Sequence, residues 1–391
     1  MMKENWTYKK FSEVFNLQMG KTPSRDNLAY WGGNNVWVSI ADLKDKYIES
    51  SKEQITDIAV SESGINKVPQ GTAIMSFKLT IGRAAITKCD LFTNEAIMSF
   101  EPKEGKAILA DYIYYYLKGC KWTGANKAVM GQTLNKKTIS ENIFAYPSIE
   151  TQSRIVSELD LLQSIMDKQQ AQLKELDNLA QAVFYDMFGD PVENDKGWEV
   201  KKLGKFCSKI GSGATPRGGN ESYKAEGISL IRSLNVHNNE FVYKDLAFID
   251  DEQAQALSNV EVQPNDILLN ITGASVARCC IVPNHLLPAR VNQHVCIIRP
   301  SKDIEVRYLS YLITGIQYQS FLIDLARGKA ATREALPKSI VENLPIILPP
   351  LSLQQSFAAK IESIEKQKAA ISQSIAETQK LFDYTMDKYF G

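Results

Sequence analysis

The residues able to do covalent chemistry are few and scattered. The chain has 3 histidines, His237, His285 and His294, all in its second half. Its 6 cysteines, Cys89, Cys120, Cys207, Cys279, Cys280 and Cys296, form no Cys-x-x-Cys pair. Cys279-Cys280 with His294 and Cys296 lacks the spacing that gathers ligands around zinc, so no metal site is expected. Gly211-Ser212-Gly213-Ala214-Thr215-Pro216 begins like a dinucleotide-binding turn but ends in proline and lies in no βαβ pattern. Arg327-Gly328-Lys329-Ala330 has the Gly-Lys of a phosphate loop without the glycine before it or the hydroxyl after it. Leu348-Pro349-Pro350-Leu351 lacks the Asx and the aromatic of an amino-methyltransferase motif. Glu199-Val200-Lys201 lacks the upstream Asp of a nuclease, and no Gly-x-Ser-x-Gly elbow occurs. The expectation is a chain with no catalytic residues and no cofactor of its own.

What remains is side chains suited to binding, gathered in three polar loops that recur in both halves of the chain. The first loop carries Lys21, Thr22, Ser24 and Arg25, against Ser212, Thr215, Arg217 and Asn220. The second carries Lys78, Thr80 and Arg83, against Asn270, Thr272, Ser275 and Arg278. The third carries Asn126, Lys127, Gln132, Asn135, Lys136 and Lys137, against Arg327, Lys329, Thr332, Arg333 and Lys338. Arg matches the guanine edge and Asn or Gln the adenine edge, while Ser, Thr and Lys reach phosphates. The candidate DNA-binding residues are Lys21, Thr22, Ser24, Arg25, Lys78, Arg83, Lys127, Gln132, Lys136, Thr215, Arg217, Asn270, Arg278, Arg327, Lys329 and Arg333. The glycines and prolines among them are read as turn geometry.

The elements that must position these loops are themselves written twice. Asn5-Trp6-Thr7-Tyr8-Lys9-Lys10-Phe11 matches Gly197-Trp198-Glu199-Val200-Lys201-Lys202-Leu203, and Gly20-Lys21-Thr22-Pro23 matches Gly213-Ala214-Thr215-Pro216. Gly82-Arg83 matches Ala277-Arg278, Asn94-Glu95 matches Asn292-Gln293, and Tyr146-Pro147 matches Leu348-Pro349. A period of about 200 residues is too long for a solenoid and reads as two copies of one domain-plus-connector unit. The globular stretches, 1–150 and 191–351, have short apolar runs such as Val36–Ile40, Ala73–Phe77 and Asp266–Asn270, punctuated by Gly, Pro, Asn and Asp, which suit strands. Helical periodicity appears near 108–118 and 306–326, so the class is α+β.

Each connector, 151–190 and 352–391, reads as a long helix with a narrow heptad seam. The first seam is Ile155, Leu159, Leu162, Met166, Leu173, Leu176 and Val183, with Gln169 as a polar interruption. The second is Phe357, Ile361, Ile364, Ile371, Ile375 and Phe382, interrupted by Lys368. A seam narrower than a full apolar face wants one long partner, and each helix is the other's obvious partner, antiparallel. A paired rod of roughly 54 Å would match about 16 base pairs. The other reading is two separate surface helices, each packed on its own domain.

Lys+Arg and Asp+Glu are both 45, so no general basic field holds nucleic acid. Residues 1–150 carry 19 basic against 16 acidic side chains and residues 151–190 carry 3 against 7, the sign expected if domains touch nucleic acid and helices touch protein. No apolar run approaches the length of a membrane span, and Met1–Trp6 has no apolar segment of a signal peptide. The expectation is a cytoplasmic chain with reduced thiols.

The pattern resembles the specificity subunit of type I restriction-modification systems over essentially the whole chain. The Gly-x-Thr-Pro turns, the Gly-Arg and Ala-Arg hairpins and the Asn94-Glu95 and Asn292-Gln293 pairs carry the resemblance. So do the passages Tyr146–Ile155 and Leu348–Gln355, which are similar to the family's Pro-Pro-Leu-x-x-Gln. Ser148 in place of the second proline, Glu95 in place of Gln and Ala277 in place of Gly depart from the pattern. The resemblance implies two target recognition domains, each reading half of a bipartite double-stranded DNA target, and antiparallel coiled-coil helices that set the gap. It implies that the helices dock two adenine methyltransferase (modification) subunits carrying S-adenosylmethionine, joined by restriction/translocase subunits that use ATP and Mg. The alternatives are the specificity subunit of a type IIB-like system, a coiled-coil protein-binding scaffold without DNA readout, and a two-domain enzyme with an unrecognised site.

Overall fold

The computed structural model describes residues 3–123, 126–128, 131–328 and 334–391, with 126–128 and 131–132 described by backbone alone. The chain divides into two compact units, Met1–Gln170 with Gln373–Gly391, and Ala171–Ser372. Each unit therefore takes a globular domain and one stretch of each long helix.

The first unit is built on a five-stranded sheet in the order Phe15–Met19, Ile97–Pro102, Ala73–Ser76, Ala84–Thr87 and Tyr47–Ile48. A three-stranded sheet, in the order Glu53–Ile55, Trp31–Val38 and Phe92–Thr93, lies beside it in sequence order, with its last pair parallel. The second unit repeats this plan. Its main sheet runs Cys207–Ser212, Val295–Pro300, Ile267–Asn270 and Cys279–Ile281. Its small sheet runs Ala247–Ile249, Ile228–Ile231 and Ala289–Val291, again with the last pair parallel.

The central strands Ala73–Ser76 and Ile267–Asn270 are buried at every position because both their faces are covered. Ala73 and Met75 enter the core beneath the helices, while Ile74 enters a second core on the other face. Ile267 and Leu269 part from Leu268 in the same way in the second unit. The predicted helices near 108–118 and 306–326 are Ala110–Gly119, and Val306–Thr314 followed by Ile316–Arg327. Tyr112 and Tyr308 are fully buried at equivalent positions, and their hydroxyls donate to the carbonyls of Ala145 and Ile347, both at 2.8 Å. Such a bond lets an aromatic ring be buried without an orphaned hydroxyl.

The long helices run Ile149–Phe188 and Leu351–Phe390, 40 residues each, about 60 Å. In the first unit Glu158 accepts from the Tyr389 hydroxyl at 3.0 Å and Gln169 donates to Ser374 at 2.7 Å. In the second, Asp177 pairs with Lys368 and the Phe184 and Phe357 rings lie 5.6 Å apart. As one residue number rises the other falls, so the stretches pair antiparallel in each unit. The two polar interruptions, Gln169 and Lys368, thus make cross-helix bonds, the kind that fixes register. Ile155, Leu159, Leu162, Met166, Phe357, Ile361, Ile364 and Phe382 are buried, whereas Leu173, Leu176, Val183, Ile371 and Ile375 are half-buried.

Two points depart from the seam as read. Phe184 and Phe188 are buried more deeply than Val183, and Met386 and Phe390 join Phe382 in the core. A straight helix drifts against a strict heptad, so toward its end the apolar face spreads onto the domain as well: Phe184 and Phe188 touch both Phe357 of the other helix and Tyr308. Nor does either helix serve one domain alone. Phe382, Met386 and Phe390 pack into the first unit's core, and Phe184 and Phe188 into the second's.

The start of each long helix is fastened by one buried glutamine. Gln152 accepts from the Leu109 N–H at 3.0 Å and donates to the Ala107 and Pro147 carbonyls at 3.2 and 3.0 Å. Gln354 accepts from the Glu305 N–H at 2.9 Å and donates to the Pro349 carbonyl at 2.8 Å. These are the glutamines of the Pro-Pro-Leu-x-x-Gln-like passages, and their task is to tie each helix to the loop that starts the preceding domain helix.

Candidate nucleic-acid interface

The polar loops converge because one backbone network knits them, and both units use it. Gly20 and Lys21 donate to the Ile97 and Thr93 carbonyls at 3.2 and 2.8 Å, docking the first loop on the Asn94 turn. Gly213 and Ala214 donate to Val295 and Val291 at 2.9 and 3.0 Å, docking its counterpart on the Asn292 turn. Asn94 and Asn292 each accept, through the side chain, from the N–H two residues on, at 3.1 Å. From that turn, Ala96 and His294 offer carbonyls to the N–H groups of Phe77 and Ile271, which open the second loop, both at 3.0 Å. Phe77 and Ile271 in turn accept from Leu134 and Leu336, which close the third loop, at 2.9 and 2.8 Å. The first loop, the Asx turn, the start of the second loop and Leu134 or Leu336 of the third are thereby fixed side by side.

This explains the Gly of Gly-x-Thr-Pro differently from a turn requirement. Neither Gly20 nor Gly213 has positive φ. A Cβ on Gly20 would fall well inside 3.0 Å of the Thr93 and Asn94 carbonyl oxygens, and on Gly213 inside 3.0 Å of those of Val291 and Asn292. Close backbone approach, not turn geometry, selects glycine here.

Several candidate side chains are held by the protein itself. Arg25 forms a two-pronged pair with Glu53, with its guanidinium 3.9 Å from the Trp31 ring centre. That pairing holds the Glu53 carboxyl below its ordinary range. Lys21 donates to the Ser63 carbonyl and Thr22 to Glu95. Burial works to raise the Glu95 carboxyl, but the Thr22 hydroxyl, its own N–H and the charges of Lys78 and Arg25 outweigh it and hold it lowered. Thr22, Arg25 and Lys78 thus share one electrostatic neighbourhood centred on Glu95. Arg327 pairs with Glu334 at 3.0 Å.

Asn270 does not reach the surface. It is fully buried, with its amide donating to the Ser233 and Val236 carbonyls, so it holds the strand rather than facing a ligand. The Thr215 hydroxyl oxygen is also buried, with no hydrogen-bond partner among the described residues. Ser24, Arg83, Lys136 and Arg217 are exposed, and Lys78 and Arg278 half-exposed. Lys329 and Arg333 lie outside the described residues, as do the side chains of Lys127 and Gln132, whose backbones pair across a two-stranded ribbon.

His294 and Ser233-Leu234 are not among the candidate residues read from the sequence. His294 Nδ1 lies 2.6 Å from the Thr272 hydroxyl and its Nε2 3.1 Å from Gln293. With Ser233, Leu234, Ser275 and Arg278 it lines an open concavity of about 450 Å³. The place of His294 two residues after Asn292 was the available signal; for Ser233-Leu234 there was none.

Among the described residues no group of three His, Cys, Asp or Glu side chains is arranged to hold a metal. Cys279 and Cys280 face opposite cores of the same sheet, and burial pushes the Cys280 and Cys296 thiols up to about 12. No described helix is long and apolar enough to cross a membrane.

Comparison with known proteins follows the same duplication. The family described as type I restriction modification DNA specificity domain matches twice, over residues 3–177 and 195–379. The Methanocaldococcus jannaschii type I restriction enzyme MjaIX specificity subunit is 26% identical, covering 98% of this chain and 92% of the relative. The Escherichia coli EcoR124I/EcoR124II specificity subunit is 28% identical over 39% of this chain and 40% of its own length. A chain solved in work on complex assembly and conformational transition of the type I R-M system superposes with a TM-score of 0.62 at 18% identity, covering 100% of this chain and 98% of that one. The type I restriction-modification S subunit from M. genitalium superposes with a TM-score of 0.54 at 12% identity, covering 99% and 96%. These two likenesses speak for the fold.

Proposed function

Because this chain belongs to the type I restriction-modification DNA specificity family, a family of non-catalytic DNA-recognition subunits, we propose that each of its two units reads one half of a bipartite duplex target. The observation that carries this is the duplicated backbone network. It docks the first loop, the Asx turn, the start of the second loop and Leu134 or Leu336 of the third through the same bonds twice while the exposed side chains differ, so two different words are read by one mechanism.

Within each unit, Arg83 or Arg278 is suited to a base edge or phosphate, and Ser24, Lys78, Lys136 and Arg217 to phosphates. Lys127, Gln132, Lys329 and Arg333 complete the third loops on their chemistry alone. Arg25, Thr22 and Arg327 exchange an internal carboxylate partner for DNA on binding. The paired helices hold the spacing between half-sites and dock two adenine methyltransferase subunits, with restriction subunits joining them; S-adenosylmethionine, ATP and Mg then belong to those partners. Net neutrality supports a DNA grip completed by other chains.

The test is to assemble the chain with its adenine methyltransferase partner and map the methylated adenines. Two words at constant spacing are expected, with Arg83→Ala relaxing one word and Arg278→Ala the other, by about 1–3 kcal/mol per lost base contact. A single uninterrupted word, or both variants relaxing the same word, refutes the proposal.

A further inference from the structure

The second loop of the first unit carries an apolar side chain that the fold does not use. Leu79 is 56% exposed and belongs to neither of the cores that flank its sheet. Its φ is +65°, a conformation unfavourable to any residue with a Cβ. Thr80 N–H donates to the Lys78 carbonyl at 2.7 Å, closing a γ-turn around it, and the Ser76 hydroxyl holds the Thr80 carbonyl. Counted from Phe77 and Ile271, which make the same bonds, Leu79 falls where the second unit has Gly273, whose φ is +73°, in a loop one residue longer before Arg278. At this count one copy has glycine, which positive φ favours, and the other keeps an exposed leucine.

We propose that Leu79 reads the 5-methyl group of a thymine in the half-site of the first unit, an assignment that rests on the DNA-reading function above. Strained backbone persists where function compensates it, and an exposed leucine gains nothing until something apolar covers it. Lys78 and Arg83 flank it, so the surface it meets is polyanionic. On a base-pair edge in the major groove the one apolar group is the thymine methyl. The contact is therefore placed in the major groove, where the methyl is displayed, and not in the minor groove, where apolar wedges act. The second unit, with Gly273, has no such contact.

The test uses the chain assembled with its methyltransferase partner and duplexes carrying the mapped target. Each thymine of the first half-site is replaced in turn by 2′-deoxyuridine. One replacement is expected to weaken binding by the unsubstituted chain about five- to tenfold. The same replacement should have no effect on Leu79→Ala or Leu79→Gly, and should retain its effect on Leu79→Met. Leu79→Gly should melt no lower than the unsubstituted protein, since glycine suits the backbone, which separates lost reading from lost folding. The proposal is overturned if Leu79→Ala still senses the same methyl or if no thymine of that half-site senses its methyl. A 2-aminopurine probe that unstacks only when Leu79 is present also overturns it, by assigning a wedge. An unsubstituted complex without sequence preference would instead overturn the DNA-reading assignment beneath it.

Discussion

Gly213→Ala isolates the device that holds the second reading surface. An added Cβ would fall short of ordinary 3.4 Å contact with the Val291 oxygen by more than 1 Å, and the neighbour is backbone, which cannot swing aside. The loop must retreat, breaking the bonds Gly213 N–H to Val295 and Ala214 N–H to Val291. Two backbone bonds at about 1 kcal/mol each, plus about 1–2 kcal/mol of overpacking, give a local loss of about 3–4 kcal/mol. That exceeds the discrimination of about 1–3 kcal/mol carried by one base pair. The assay is binding of the assembled complex to targets with single changes in either word. Gly213→Ala should become indifferent to changes in the second unit's word while still rejecting changes in the first; Gly20→Ala should do the reverse. Gly211→Ala is the control, since its Cβ would meet nothing within 4 Å and its φ is not positive. If Gly213→Ala discriminates both words as before, or loses both together, the docking of the first loop on the Asn turn is not what positions the reading surface.

Three further outcomes follow from the same structure. Gln152→Leu leaves one N–H and two carbonyls without their partner and should cost about 2–4 kcal/mol in denaturant unfolding; Gln354→Leu, with two bonds, should cost less. Glu95→Gln puts an amide where the second unit has Gln293. It should strengthen DNA binding at low salt by removing a carboxylate, and alter the preferred base at one pair of the first word. Lys46 bridges Asp111 and Asp160 at 2.7 and 2.6 Å. Burial works to raise Asp111, but Lys46 and the Tyr47 hydroxyl hold it lowered. A carboxyl lowered on folding stabilises above its unfolded pKa of about 4 and loses that contribution as pH falls through the folded value. Unfolding midpoints of Lys46→Met should therefore fall less steeply than those of the unsubstituted protein below about pH 4.

The glutamines show how a motif can be legible while its physics is not. Their spacing after the prolines was plain in the sequence, and so was the resemblance it carried. That Gln152 is fully buried and clamps Leu109, 43 residues away, required the fold. Ala277 is a second case: it read as a departure from Gly82, yet its φ of +71° repeats the +87° of that glycine, so the hairpin geometry survives the change of residue.

The sequence alone determined the duplication, the α+β alternation and the pair of seamed helices. Periodicity and repeated short motifs are local in the chain, and local pattern is what apolar spacing and turn chemistry encode. The tertiary structure decided which candidate side chains are free to touch DNA. Asn270 turned inward, Arg25 and Thr22 found carboxylates, and His294 joined the site, because each outcome depends on residues about 20 to 75 positions away. It also decided that each domain is completed by a stretch of both long helices, since Phe184 and Phe188 are buried in the second core and Phe382 and Phe390 in the first, which removes their apolar surface from water.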